Sequence, residues 1–111
     1  MQEVIDEFYV KYDNFIKKIS TGNKTKFKSL ETINTINDVL KALIIIVELN
    51  ELDKIENWEI YNLLLISKIY IKKVPEPTMY TPRKWALINL KDNLKKLENL
   101  NIKQDYYKSR H

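Results

Sequence analysis

The side chains that most often carry enzymatic chemistry are nearly missing from this chain of 111 residues. It has no cysteine, which excludes disulfides, Cys-ligated zinc and thiol catalysis. Its single histidine, His111, is the last residue, so the usual general base and the commonest metal ligand are absent from any interior position. Gly22 is the only glycine, and a Gly-rich phosphate loop cannot be built from one. Acids do recur at helical spacing, Glu48 with Glu51 and Glu56 with Glu59. Without an opposed pair on another element or a metal-binding histidine, they read as a solvated acidic face. The expectation is a non-enzyme with no cofactor and no metal.

What remains is charge and aromatic rings. The chain carries 19 Lys and Arg against 15 Asp and Glu, a net charge of +4. That modest excess permits a nucleic-acid partner without requiring one. Its distribution is uneven. Residues 48–59 hold Glu48, Glu51, Asp53, Glu56 and Glu59 against Lys54 alone, whereas residues 60–75 hold Lys68, Lys72 and Lys73 with no acid. Lys24, Lys26 and Lys28 alternate with Thr25 and Phe27, a pattern that can combine phosphate contacts with base stacking. Arg83, Lys84, Lys91 and Lys95 fall near the C-terminal end, the three lysines at offsets of seven and four. On a helix that spacing is one face, able to track a phosphate backbone; it is also an ordinary solubilising lysine face. Trp58 and Trp85 each fall where a helix opens, where a ring can seal the bundle end, stack on a base or anchor a subunit. Tyr80, Tyr106 and Tyr107 fall outside the helices and are candidate contact residues.

These residues must be positioned by helices. Val4, Ile5, Phe8, Tyr9, Tyr12, Phe15, Ile16 and Ile19 recur at three and four, giving one apolar stripe. Ser20-Thr21-Gly22-Asn23 ends it, and Ser29 can cap the next helix. Ile33, Ile36, Leu40, Leu43 and Val47 form a seam there, while Ile44, Ile45 and Ile46 make the helix apolar nearly all round. That helix is either central or carries a partner-facing patch. Asn57 can cap a third helix, which Pro75 and Pro77 end. Thr81-Pro82 is the clearest start signal, and Leu87, Leu90, Leu94 and Leu97 continue from it. The pattern predicts a single all-α bundle of four main helices, at about 3–20, 29–50, 57–74 and 82–100, with a short polar tail. The apolar run from Leu43 to Val47 is far short of the roughly 20 residues a membrane span needs. The acidic, amphipathic start is unlike a targeting peptide, and a cytoplasmic chain is expected.

Several segments resemble the small subunit of type I-D CRISPR effector complexes, which corresponds to the C-terminal helical domain of that system's large subunit. They are Phe8-Tyr9-Val10-Lys11-Tyr12-Asp13-Asn14-Phe15, Asn23-Lys24-Thr25, Lys28-Ser29-Leu30 and Asp38-Val39-Leu40-Lys41-Ala42. Arg83, Leu87, Leu90-Lys91-Asp92 and Leu97 follow the spacing of the family's last helix. These are amphipathic patterns rather than sharp motifs; Ser29 stands where the family has proline. The resemblance implies a non-catalytic subunit, present in several copies, that braces a guide-RNA filament. It implies contact with guide RNA, with the target or displaced DNA strand, with the backbone and large subunits, and with other copies of itself. Base pairing reads sequence in such complexes, and the proteins hold backbone and shape.

The nucleic-acid contacts expected from the charge map are Lys24, Lys26, Lys28, Arg83, Lys84, Lys91 and Lys95. The expected protein interface is Ile44, Ile45 and Ile46 with Glu51, Asp53, Glu56 and Glu59. A competing expectation uses that interface alone, as a small helical adaptor or inhibitor, for example viral, that binds only protein. A third is a homodimerising bundle with a purely structural role.

Overall fold

The computed structural model describes residues 2–20, 29–75 and 77–100, and the described residues form an all-α bundle without strands. Its helices are α1 (Gln2–Ser20), α2 (Leu30–Glu48), α3 (Asn57–Lys73) and α4 (Pro82–Asn99), with one short 3-10 turn at Leu52–Lys54. Lys24, Lys26, Lys28, Gly22, Tyr106 and Tyr107 lie outside the described residues.

Local chemistry explains where the helices begin and end. Ser29 is extended, and its hydroxyl accepts the Thr32 amide at 3.2 Å, satisfying one of the orphan donors at the start of α2. Thr81 does the same for the Lys84 amide at 3.2 Å, with Pro82 at the first helical position of α4. The end of α2 is closed by Asn50, which takes a positive φ of 59°. The Glu51 amide reaches back to the Ile46 carbonyl and the Asn50 amide to Val47, each at 3.0 Å. That is a Schellman closure with asparagine doing what glycine usually does. The third helix departs from expectation at its start: Glu56 is the cap residue, without a side-chain bond, and Asn57 is already helical.

The second helix is the centre of the bundle. Ile33, Ile36, Leu40, Leu43 and Ile46 are fully buried, and α1 and α4 pack along it. Each such side chain contributes roughly 1.5–3 kcal/mol of apolar burial. The expected Ile44–Ile46 patch is corrected accordingly. Consecutive helical residues point about 100° apart, so three in a row cannot share a face. Ile44 and Ile46 turn into the core, and only Ile45 is exposed.

Side-chain bonds give the helix directions. Lys18 at the end of α1 pairs with Glu31 at the start of α2, as in a helical hairpin. The Tyr9 hydroxyl donates to Glu59 at 2.8 Å, and Asn62 donates to the Tyr12 hydroxyl at 3.1 Å, so α1 and α3 run the same way. Buried Asn37 on α2 donates to the Ala86 carbonyl at 2.9 Å and accepts from Asn93 at 3.1 Å. With Lys96 near Glu48 (3.9 Å), α2 and α4 also run in one direction.

Candidate nucleic-acid interface

The head of α4 presents rings and cations together. Tyr80 precedes the Thr81 cap, and Trp85 follows it in the first turn. The two rings are 5.7 Å apart between centroids and inclined by 34°. Both are exposed, Tyr80 at 76% and Trp85 at 54%, and Met79 beside them is exposed as well. Lys84 places its Nζ 4.5 Å from the centre of the Tyr80 ring, within cation–π range. Leaving two large rings in water forgoes burial, so this is a costly surface for the fold alone to leave uncovered.

The cluster is held from behind. The Trp85 amide donates to the Thr81 carbonyl at 3.1 Å, continuing the cap into the first turn. Ala86, the next residue, is buried and receives Asn37 from α2. The first turns of α4 are therefore fixed to the central helix while Trp85 faces outward. Arg83 is half-buried, and its Nε is shielded from water with no hydrogen-bond partner among the described residues. Its positive charge acts on Tyr70, drawing that phenol down, but burial prevails and pushes Tyr70 up to about 12.

From this head, the Lys84, Lys91 and Lys95 positions run along one face of α4 for about 16 Å, with Lys91 and Lys95 exposed. Asp92 is exposed next to Lys91 and interrupts the field. Lys96 lies off this line, beside Glu48. The structure thus gathers Arg83, Lys84, Lys91 and Lys95 on one helix. The pairing of Tyr80 with Trp85 is what sequence reasoning missed. Each ring was singled out separately; the signal was their spacing of five across a Thr-Pro cap, which folds the residue before the helix back over its first turn.

The acidic stretch is largely used within the chain. Glu59 is buried at the α1–α3 contact, where it accepts the Tyr9 hydroxyl, so its place in an acidic protein interface is corrected. Burial raises its carboxyl above the ordinary range, with Glu56 and Asp13 adding repulsion, against the lowering effect of the Tyr9 bond. Burial and the same bond push Tyr9 up to about 12. Glu51 pairs with Lys54 at 2.9 Å. Asp53 and Glu56 remain exposed. No group of three or more His, Cys, Asp or Glu able to hold a metal occurs among the described residues. No helix among them is long and apolar enough to cross a membrane. No family model, curated protein or solved structure matches the chain.

Proposed function

We propose that this chain is a non-catalytic helical subunit that holds single-stranded nucleic acid by sequence-independent contacts. The observation that carries the reading is the exposed Tyr80–Trp85 ring pair with Lys84 over it, at the head of the Lys91–Lys95 face. Rings accept bases of any kind by stacking, and lysines follow the phosphates. The resemblance of the sequence pattern supports a narrower reading, as the small subunit of a type I-D CRISPR effector complex, present in several copies. On that reading the partners are guide RNA, the target or displaced DNA strand, the backbone and large subunits, and further copies, all in the cytoplasm. The protein-only adaptor loses much of its expected surface, because Ile44, Ile46 and Glu59 are buried.

The test is titration of the chain with a labelled single-stranded oligonucleotide, read by anisotropy and by tryptophan quenching. Binding should weaken steeply with salt. Tyr80→Ala and Trp85→Ala should each cut affinity by roughly tenfold, the loss of one stacked base, while Trp58→Ala leaves it unchanged. Failure to bind at low salt, or a Trp85→Ala variant that binds like the parent, would sink the reading. Its narrower part is tested by affinity capture from the native host. A discrete short RNA with larger subunits is expected, and a single protein without RNA would exclude the CRISPR role.

A further inference from the structure

The third helix carries cations of its own, and three contacts fix which side of it they take. Glu59 and Asn62 reach Tyr9 and Tyr12 of α1, whereas Lys68 reaches Glu98 of α4 at 3.3 Å. At about 100° per residue, Lys68 lies half a turn round α3 from Glu59, so α1 and α4 flank opposite sides of this helix. Exposed Lys72 follows one turn after Lys68, about 40° round from it. Lys73, also exposed, is turned about 100° further from the α4 side. Cations in the last turn complement the dipole of α3 wherever they point, so the helix by itself does not distinguish the two.

The lysine face of α4 turns towards this flank. Glu98, the residue Lys68 meets, comes seven after Lys91 and three after Lys95, and Lys84 comes seven before Lys91. All four fall within about 60° of one another round α4, while Asp92 is turned about 100° from Lys91. The two helices run in opposite directions, because α3 follows α1, α4 follows α2, and α1 and α2 form a hairpin. Lys72 therefore lies on the ring-pair side of the Lys68–Glu98 contact. Facing flanks of α3 and α4 thus line a valley with Lys68, Lys72, Lys84, Lys91 and Lys95, against the single carboxylate of Glu98. At its head, Arg83 and Lys84 stand against the helix dipole, with no acid in the first turn of α4. That placement costs the helix and favours an anionic ligand.

We propose, resting on the nucleic-acid reading above, that the phosphates of a single strand run in this α3–α4 valley. Lys68 and Lys72 hold them from one wall, Lys91 and Lys95 from the other, and a base stacks on the Tyr80–Trp85 pair. The third helix thereby becomes half of the site, with Lys68 and Lys72 as binding residues that the charge map of α4 does not include. A strand in the valley meets cations from both sides and avoids Asp92, which a strand along the crest of α4 would have to pass. Glu98 is the built-in competitor: Lys68 must exchange its carboxylate for a phosphate when the strand enters. That exchange is cheap because both partners are part-exposed, and it makes Glu98 a brake on affinity.

Neighbouring residues of equal charge supply the test. A labelled oligothymidylate is titrated against each variant by anisotropy, across a salt series. Lys72→Gln should weaken binding roughly two- to fivefold and flatten the slope of log affinity against log salt by about 0.7, the loss of one phosphate contact. Lys73→Gln removes the same charge one residue away, outside the valley, and should leave the slope unchanged. Glu98→Gln should tighten binding by roughly two- to fivefold. Glu48→Gln, which breaks the Lys96 pair off the valley, should not. Circular dichroism confirms that each variant is folded. Equal effects of Lys72→Gln and Lys73→Gln, or no gain from Glu98→Gln, would overturn the valley alone, provided Trp85→Ala still weakens binding. A parent chain that binds no strand would remove both the valley and the nucleic-acid reading.

Discussion

Asn37 joins the core to the candidate site, and removing its amide should affect both. The side chain is buried, donates to the Ala86 carbonyl at 2.9 Å and accepts from Asn93 at 3.1 Å. In Asn37→Ala two bonds are lost, at about 1 kcal/mol each. The Ala86 carbonyl keeps its place in the helical ladder, and Asn93 is half-buried, so water can replace part of what is removed. The expected cost is about 2 kcal/mol, which for a domain of this size lowers the melting temperature by roughly 10 °C. Denaturant unfolding followed by circular dichroism measures it. A second variant separates hydrogen bonding from packing. Asn37→Leu leaves the Asn93 amide against hydrocarbon, and adding Asn93→Leu should recover much of the loss, because an unsatisfied amide costs more than a missing pair. Since Ala86 follows Trp85, Asn37→Ala should also loosen the head of α4 and weaken oligonucleotide binding several-fold, because a smaller fraction of the chain then holds the ring pair in its binding-competent arrangement. A cost under about 0.5 kcal/mol, or strict additivity in the double variant, would refute the claim that this amide pins α4 to α2.

Two further outcomes follow from the caps and the buried carboxyl. Thr81→Ala removes the acceptor for the Lys84 amide and should cost about 1 kcal/mol; Thr81→Ser should restore it, and equal stability of all three would remove the cap from the account. Glu59 is the pH-sensitive group. Because burial raises its carboxyl above the ordinary carboxylate range, its contribution to stability is complete below that range and is lost as pH rises through the raised value. Glu59→Gln keeps an acceptor for Tyr9 without the titrating charge. The difference between the two proteins should be small in acid and should grow in favour of the variant towards neutral pH, with Glu56, Asp13 and Tyr9 as the facing groups. A pH-independent difference would show that Glu59 is not held in this way. Tyr9, pushed up to about 12 by burial and by Glu59, adds a separate loss between pH 10 and 12 in the parent, and that loss should be smaller in Glu59→Gln.

The helices and most of their ends were legible in residue types, because capping and periodicity act within a few positions of the chain. Ser29 and Thr81-Pro82 cap their helices through their own hydroxyls. The seam Ile33, Ile36, Leu40 and Leu43 is buried as its spacing requires. The lysines of α4 share a face for the same reason of period. Asn50 was harder to read, since asparagine tolerates the left-handed conformation without announcing it as glycine does.

What chain order could not supply is which side of an all-round apolar segment meets solvent. Ile44 and Ile46 became core because α2 has neighbours on several sides, while Trp58, Leu65 and Ile69 were left exposed because α3 lies at the margin. Glu59 counts as one more acid in the sequence, and only the approach of Tyr9, fifty positions earlier, takes it out of the surface field. The Tyr80–Trp85 pair likewise depends on how the cap folds back and on Asn37 holding α4 in place. Periodicity and capping are local and travel with the residues; burial, pairing and the faces left for partners are relations between distant segments, and packing decides them.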